Sequence, residues 1–208
     1  MKLKLLASMS ELGAGTRGSS LGLDALKMAS LKTDPSFFRD REVCEIKTEN
    51  YLLHREVKTP SAPRIDGVSV VYDRLEKEVA DSLAQQEFAC LISGDHSNAG
   101  GTMAGIKKAF PQKRLGVIWV DAHADLHSPY TSPSGNVHGM PLASALGEDN
   151  RENKVRDPEE EVLWHWNEMK GPEARVKPED VFFLGLRDTE EPEDKLREKH
   201  RMPNISVD

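Results

Sequence analysis

The run Leu-Gly-Val-Ile-Trp-Val at residues 115–120 is apolar at almost every position. A strand covered by helices on both faces of a parallel sheet needs that pattern, whereas a strand with one wet face alternates. The run leads into Asp121-Ala122-His123-Ala124-Asp125, which puts three potential metal ligands at alternate positions. In an extended backbone such side chains share a face, so the spacing predicts that Asp121, His123 and Asp125 converge at the carboxyl end of a strand.

Similar short apolar runs recur at Leu3–Ala7, Val43–Ile46, Phe88–Ser93, Val181–Leu186 and Ile205–Val207, and we read these with Leu115–Asp121 as strands. Between them, Leu21–Leu31, Val71–Gln86, Gly101–Phe110 and Pro141–Leu146 read as helices. In the second, Val71, Leu75, Val79 and Leu83 repeat at helical spacing. Alternation of this kind predicts an α/β fold, a three-layer αβα arrangement around a mainly parallel sheet. Ligands of such sheets gather at the carboxyl ends of the strands, where the metal candidates also fall.

With 208 residues and 38% hydrophobic content the chain suits one domain, 1–208, containing a charged excursion at 148–180 that carries Trp164 and Trp166. That excursion reads as solvated and anchored by its tryptophan pair. A net charge of -7 and the lack of a long basic cluster argue against nucleic acid as a partner. No apolar run reaches the roughly 20 residues of a membrane span, so a cytoplasmic protein acting on a small molecule is expected. Cys44 and Cys90 form no Cys-x-x-Cys pair and read as core residues.

A fourth metal candidate, His96, lies in Ser93-Gly94-Asp95-His96-Ser97 at the end of the preceding strand. A two-metal hydrolytic centre needs a carboxylate that bridges the ions, and Asp121, central among the candidates, suits that role. Oxygen and imidazole ligands without thiolate leave manganese, zinc and iron open. The loop Thr131–Pro141 adds Ser134 and Asn136 as neutral hydrogen-bonding groups for a substrate and His138 as a proton relay.

Together, Ser-Gly-Asp-His-Ser at 93–97, Trp-Val-Asp-Ala-His-Ala-Asp at 119–125, Ser-Pro-Ser-Gly-Asn-Val-His-Gly-Met-Pro at 132–141 and Gly-Leu-Arg-Asp at 185–188 resemble the arginase branch of the ureohydrolases. The resemblance implies two Mn2+ ions sharing a hydroxide that attacks a guanidinium carbon, with arginine giving ornithine and urea. It implies that His96, Asp121 and Asp125 hold one ion and that Asp121 and His123 contribute to the other. Asp125 and His138 take catalytic roles, His138 protonating the leaving amine. Ser134 and Asn136 receive the substrate α-carboxylate, and Glu190 meets the α-amino group. A homotrimer or hexamer follows from the same likeness.

The sequence departs from the family twice. His127 stands where most arginases have an asparagine that helps bind the α-carboxylate, which opens the choice of guanidino substrate. Family members are also longer, with a later strand bearing an Asp-x-Asp pair of ligands. We therefore expect the 208 residues to represent part of a longer protein, with the last strands of the family fold missing and Asp208 given no metal role. Alternatives are agmatinase, guanidinobutyrase or formimidoylglutamase activity, or an inactive metal-binding fragment. From a different class, Gly13-Ala14-Gly15-Thr16-Arg17-Gly18 matches a dinucleotide-binding fingerprint between a strand and a helix.

Overall fold

The structure is a computed structural model that describes residues 2–205. The expected strand Ile205–Val207 lies mostly outside these residues, and Asp208 wholly so. Six strands form in the described part: β1 (Leu3–Ser8), β2 (Val43–Glu45), β3 (Phe88–Ser93), β4 (Val117–Val120), β5 (Val181–Leu184) and β6 (Asn204–Ile205). Every pairing is parallel, as the uninterrupted apolar runs predict. With the helices packed on them the strands make the expected three-layer α/β fold.

The strands form two half-sheets, ordered β2-β1-β3 and β4-β5-β6, and no ladder joins β3 to β4 among the described residues. Between those edges lies a cleft of about 380 Å3 lined by Leu91, Ala99, Met103, Ile118, Trp119 and Val120. The expectation that helices cover both faces of the 115–120 run is corrected here. Val117 and Trp119 pack against the core cluster that contains Ala124, Leu126 and Phe183. Ile118 and Val120 are 71% and 75% exposed, because β4 is an edge that borders the cleft.

The helices are α1 (Gly22–Thr33), α2 (Ile65–Ala84), α3 (Asn98–Ala109), α4 (Pro141–Leu146), α5 (Glu160–Lys170) and α6 (Glu191–His200). Helix α2 buries Val68, Val71, Tyr72, Leu75 and Val79 on one stripe, each worth ~1.5–3 kcal/mol when a large apolar side chain is fully removed from water. It begins at Ile65, ahead of the Val71 start read from the periodicity. Its neighbour α3 approaches closely because Gly101 and Gly105 face it: a Cβ there would lie 2.8 Å from the Tyr72 carbonyl and 2.7 Å from that of Glu76. The glycines ahead of Phe110 thus serve packing and bring the start of α3, directly after His96, against the core.

The segment 148–180 is more structured than its charge suggests. Val162, Trp166 and Met169, one helical face of α5, are buried against α2 and α4, while Trp164 is exposed, so one tryptophan anchors the segment and not a pair. Asp149 accepts hydrogen bonds from Trp166 Nε1 (2.9 Å), Lys170 Nζ (2.5 Å) and Arg151 Nε (3.0 Å). Arg156 donates to the Pro60 and Pro133 carbonyls (3.1 and 2.6 Å), which ties the segment to the Thr131–Pro141 loop.

Candidate metal centre and its cavity

The segments that follow β1, β3, β4 and β5 line one cavity of about 610 Å3. Parallel strands deliver their carboxyl ends to one side, which explains why sites distant in sequence meet. His96, Asp121 and Asp125 each offer one ligand atom, and the three atoms lie within 4.8 Å of one another. His96 Nδ1 hydrogen bonds to Asp125 Oδ2 at 2.9 Å. It also lies 3.0 Å from Asp121 Oδ2, but that contact lacks hydrogen-bond geometry, so this buried oxygen has no hydrogen-bond partner. The hydrogen bond that His96 donates to Asp125, with the charges of Asp125 and Asp121, raises the His96 pKa despite the opposing effect of burial.

The convergence does not come from the strand pleat. Strand β4 ends at Val120, residues 121–123 bend, and Asp125 takes a left-handed conformation with φ 50°. The turn carries Asp125 back to Asp121 and leaves His123 exposed. His123 Nδ1 is 3.5 Å from Asp121 Oδ1 and its Nε2 is 3.3 Å from Asp188 Oδ2, so it borders the centre without joining the convergent set. Asp188, in the Gly-Leu-Arg-Asp motif, was given no role from sequence.

The remaining predicted residues, His127, Ser134, Asn136, His138 and Glu190, all line the same cavity. Ser134 is exposed, and its Oγ accepts the Asn136 backbone N–H at 3.1 Å. Gly135 between them has φ 74°, and a Cβ there would lie 2.2 Å from the Pro60 carbonyl, so the loop requires glycine at this point. His138 is anchored through its backbone N–H to the Gly13 carbonyl at 3.2 Å. His127 is buried, with Nε2 3.6 Å from carboxylate oxygens of both Glu190 and Glu193.

Besides Asp188, sequence reasoning missed three carboxylates that shape this cavity. Asp95 accepts the backbone N–H groups of Gly13 (2.9 Å) and Ala14 (3.3 Å), and Glu11 Oε1 accepts those of Gly18 (2.6 Å) and Ser20 (2.8 Å). Burial alone would raise the Glu11 pKa, but the backbone bonds from Ser20 and Gly18 hold it below the ordinary value. These bonds consume the N–H groups that a dinucleotide phosphate would need from the Gly13–Gly18 loop, so the fingerprint here is a loop fixed by carboxylates. Glu193 is 4% exposed, and burial raises its pKa against the opposing charge of His127. The Glu190-x-x-Glu193 spacing of a capping box was the one signal for it in the sequence.

Residues 5–208 match the family described as "Arginase family". The chain belongs to the arginase family. An arginase from Brevibacillus brevis is 34% identical over 188 residues, covering 89% of this chain and 57% of the relative. The solved arginase of Bacillus subtilis subsp. subtilis str. 168 superposes with a TM-score of 0.77 at 30% identity, covering 99% of this chain and 64% of that one. An Entamoeba histolytica arginase solved in complex with L-ornithine gives a TM-score of 0.78 at 25% identity, covering 99% and 66%. This arginase-family chain therefore spans a little over half the length of the curated relative. Among its described residues, no helix is long and apolar enough to cross a membrane.

Proposed function

We propose that the protein is a binuclear manganese amidinohydrolase that cleaves a guanidino compound, with L-arginine, giving L-ornithine and urea, as the reference substrate. The observation that carries this reading is the Asp121 Oδ2 atom, buried without a hydrogen bond beside His96 and Asp125 in an arginase-family chain. A buried carboxylate oxygen left unpaired costs free energy unless a cation completes it, so the donor set fits a metal. His96, Asp121 and Asp125 would hold one ion, and Asp121 with His123 would contribute to a second. Such ions supply a water acidic enough to act as a nucleophile near neutral pH.

The chain's own groups do the rest. A guanidinium carbon resists attack because its resonance is lost, and the amine formed from it departs only when protonated. His138 on the cavity wall provides an imidazole for that proton, the work of a general acid. Ser134 and Asn136 offer hydrogen-bond donors to a carboxylate, and Asp125, with Oδ2 2.9 Å from His96 Nδ1, would stand beside it as a fellow ligand. A trimeric or hexameric assembly rests on the family resemblance alone.

The test is product release by the complete gene product supplied with manganese, from arginine, agmatine, guanidinobutyrate and formiminoglutamate in parallel. Urea is expected from at least one guanidino compound. Release from none of the four would remove the enzymatic reading and leave a metal-binding protein.

A further inference from the structure

Asp95 is buried beside the proposed metal ligand His96, in the turn between β3 and α3. Each of its oxygens accepts hydrogen bonds within the chain. Oδ1 accepts the backbone N–H and the hydroxyl of Ser97, and the carbonyl accepts Ser93 Oγ at 2.6 Å and Asn98 Nδ2 at 3.0 Å. Those bonds fix Asp95 to the turn that carries His96. Oδ2 reaches across to the loop after β1, where it accepts the N–H groups of Gly13 and Ala14 at 2.9 and 3.3 Å.

The Ala14 N–H and the Gly13 carbonyl belong to one peptide group, and that carbonyl accepts the His138 backbone N–H at 3.2 Å. A trans peptide is planar, with its N–H and C=O on opposite sides, so the group is a rigid link with Asp95 at one end and His138 at the other. Gly13 has no side chain to restrain this plane, so the hydrogen bonds at its two ends set its orientation. The missing side chain is itself required: a Cβ there would lie 2.6 Å from Ser97 Oγ and 2.7 Å from Asp95 Oδ1. Two further holds on the turn at 137–139 act on the neighbours of His138, through buried Val137 and the His127 N–H on the Gly139 carbonyl at 3.0 Å.

A general acid works only within hydrogen-bond reach of the atom it protonates, and a misplacement of about 1 Å can cost ~100-fold in rate. We propose that Asp95 is a positioning residue: through the Gly13–Ala14 peptide it sets where the His138 imidazole stands relative to an ion held by His96. One carboxylate thereby spans the carboxyl ends of β1 and β3 and keeps the proton donor in register with the metal centre, while touching neither substrate nor ion in this role.

This inference rests on the amidinohydrolase reading, and two readouts keep them apart. The imidazole signals of His138 are followed by NMR in the complete, metal-free protein, assigned by their loss in His138→Ala. The manganese-loaded protein supplies kcat and KM on its best guanidino substrate. Asp95→Ala frees the link at its carboxylate end, and Gly13→Ala forces the loop off the same carboxylate from the other side. Each should move the His138 signals and lower kcat about 10–100-fold with KM within about threefold, and the double variant should lose no more than the worse single one. Ser97→Ala, which leaves the Oδ2 bonds in place, should leave the signals where they are. A folded Asp95→Ala or Gly13→Ala with unmoved His138 signals overturns the inference, and so does an equal shift in Ser97→Ala or a kcat loss that multiplies in the double variant. If the unaltered protein turns over no guanidino compound, the amidinohydrolase reading fails, and the His138 signals still decide whether Asp95 positions that ring.

Discussion

Asp121 and Glu193 are carboxylates on the wall of one cavity, and they have opposite relations to the rest of the chain. Asp121 leaves a buried oxygen without a hydrogen bond beside two other ligand atoms, whereas each Glu193 oxygen accepts a backbone N–H group. Both have the residue type that invites a ligand assignment. Only the first leaves an oxygen with no hydrogen bond at all. An acidic side chain in a cavity is thus evidence for a cation site to the extent that the protein fails to satisfy it.

The contrast breaks most directly at Asp121. In Asp121→Ala, manganese affinity measured by calorimetry should fall by at least the ~10–100-fold typical of losing a supporting group around a metal, since Asp121 is proposed to touch the ion itself. An affinity within a factor of about two of the unaltered protein would place the ion elsewhere. Glu193→Ala should act on stability instead. It orphans two backbone N–H groups at ~1–3 kcal/mol each, giving a loss of about 2–6 kcal/mol in urea unfolding with manganese affinity kept.

Asp149 sharpens the comparison as an acid satisfied by cations. Burial would raise its pKa, but the hydrogen bonds from Lys170 and Trp166 and the charge of Lys170 hold it below the ordinary 3.8. A depressed folded pKa stabilises the native state above the unfolded value, and that stability drains as pH falls through the folded value. Asp149→Asn should therefore cost ~1–3 kcal/mol at pH 7, and less at pH 3, where the unaltered protein has begun to lose the same contribution. An equal difference at both pH values would mean that the charge of Asp149 contributes nothing. The smallest stability effect is expected at His127→Ala, under about 1.5 kcal/mol, because its contacts to the acids are long at 3.6 Å. A larger loss in the same urea experiment would make His127 a structural residue first.

How far the sequence disclosed all this depends on how local the signal is. Strand β3 and helix α4 have the bounds read from sequence, since Gly94 follows the one and Pro141 and Gly147 punctuate the other. Helix α6 has Leu196 as its main apolar contact and was missed. It is held by the Glu190–Glu193 capping box and by acids in its first turn and bases in its last, in favourable register with the helix dipole. Helix α5 was obscured by exposed Trp164 and half-buried Leu163 beside its buried face. At the site, the identities of His96, Asp121 and Asp125 were legible from motif spacing. The outward position of His123 was not, because it depends on where β4 stops pairing with β5. Glu11 and Asp95 escaped for a related reason: the backbone groups they satisfy belong to a loop whose path only the folded chain defines.

The cleft between β3 and β4 gives the metal candidates a mechanical meaning. His96 follows one edge of that cleft, while Asp121 and Asp125 follow the other. A cation held by all three would act as a rivet between two half-sheets that share no ladder among the described residues. Linkage then runs both ways: anything that seats against the open strand edges and draws them together tightens the grip on the ion, and the ion by the same free energy favours that closure.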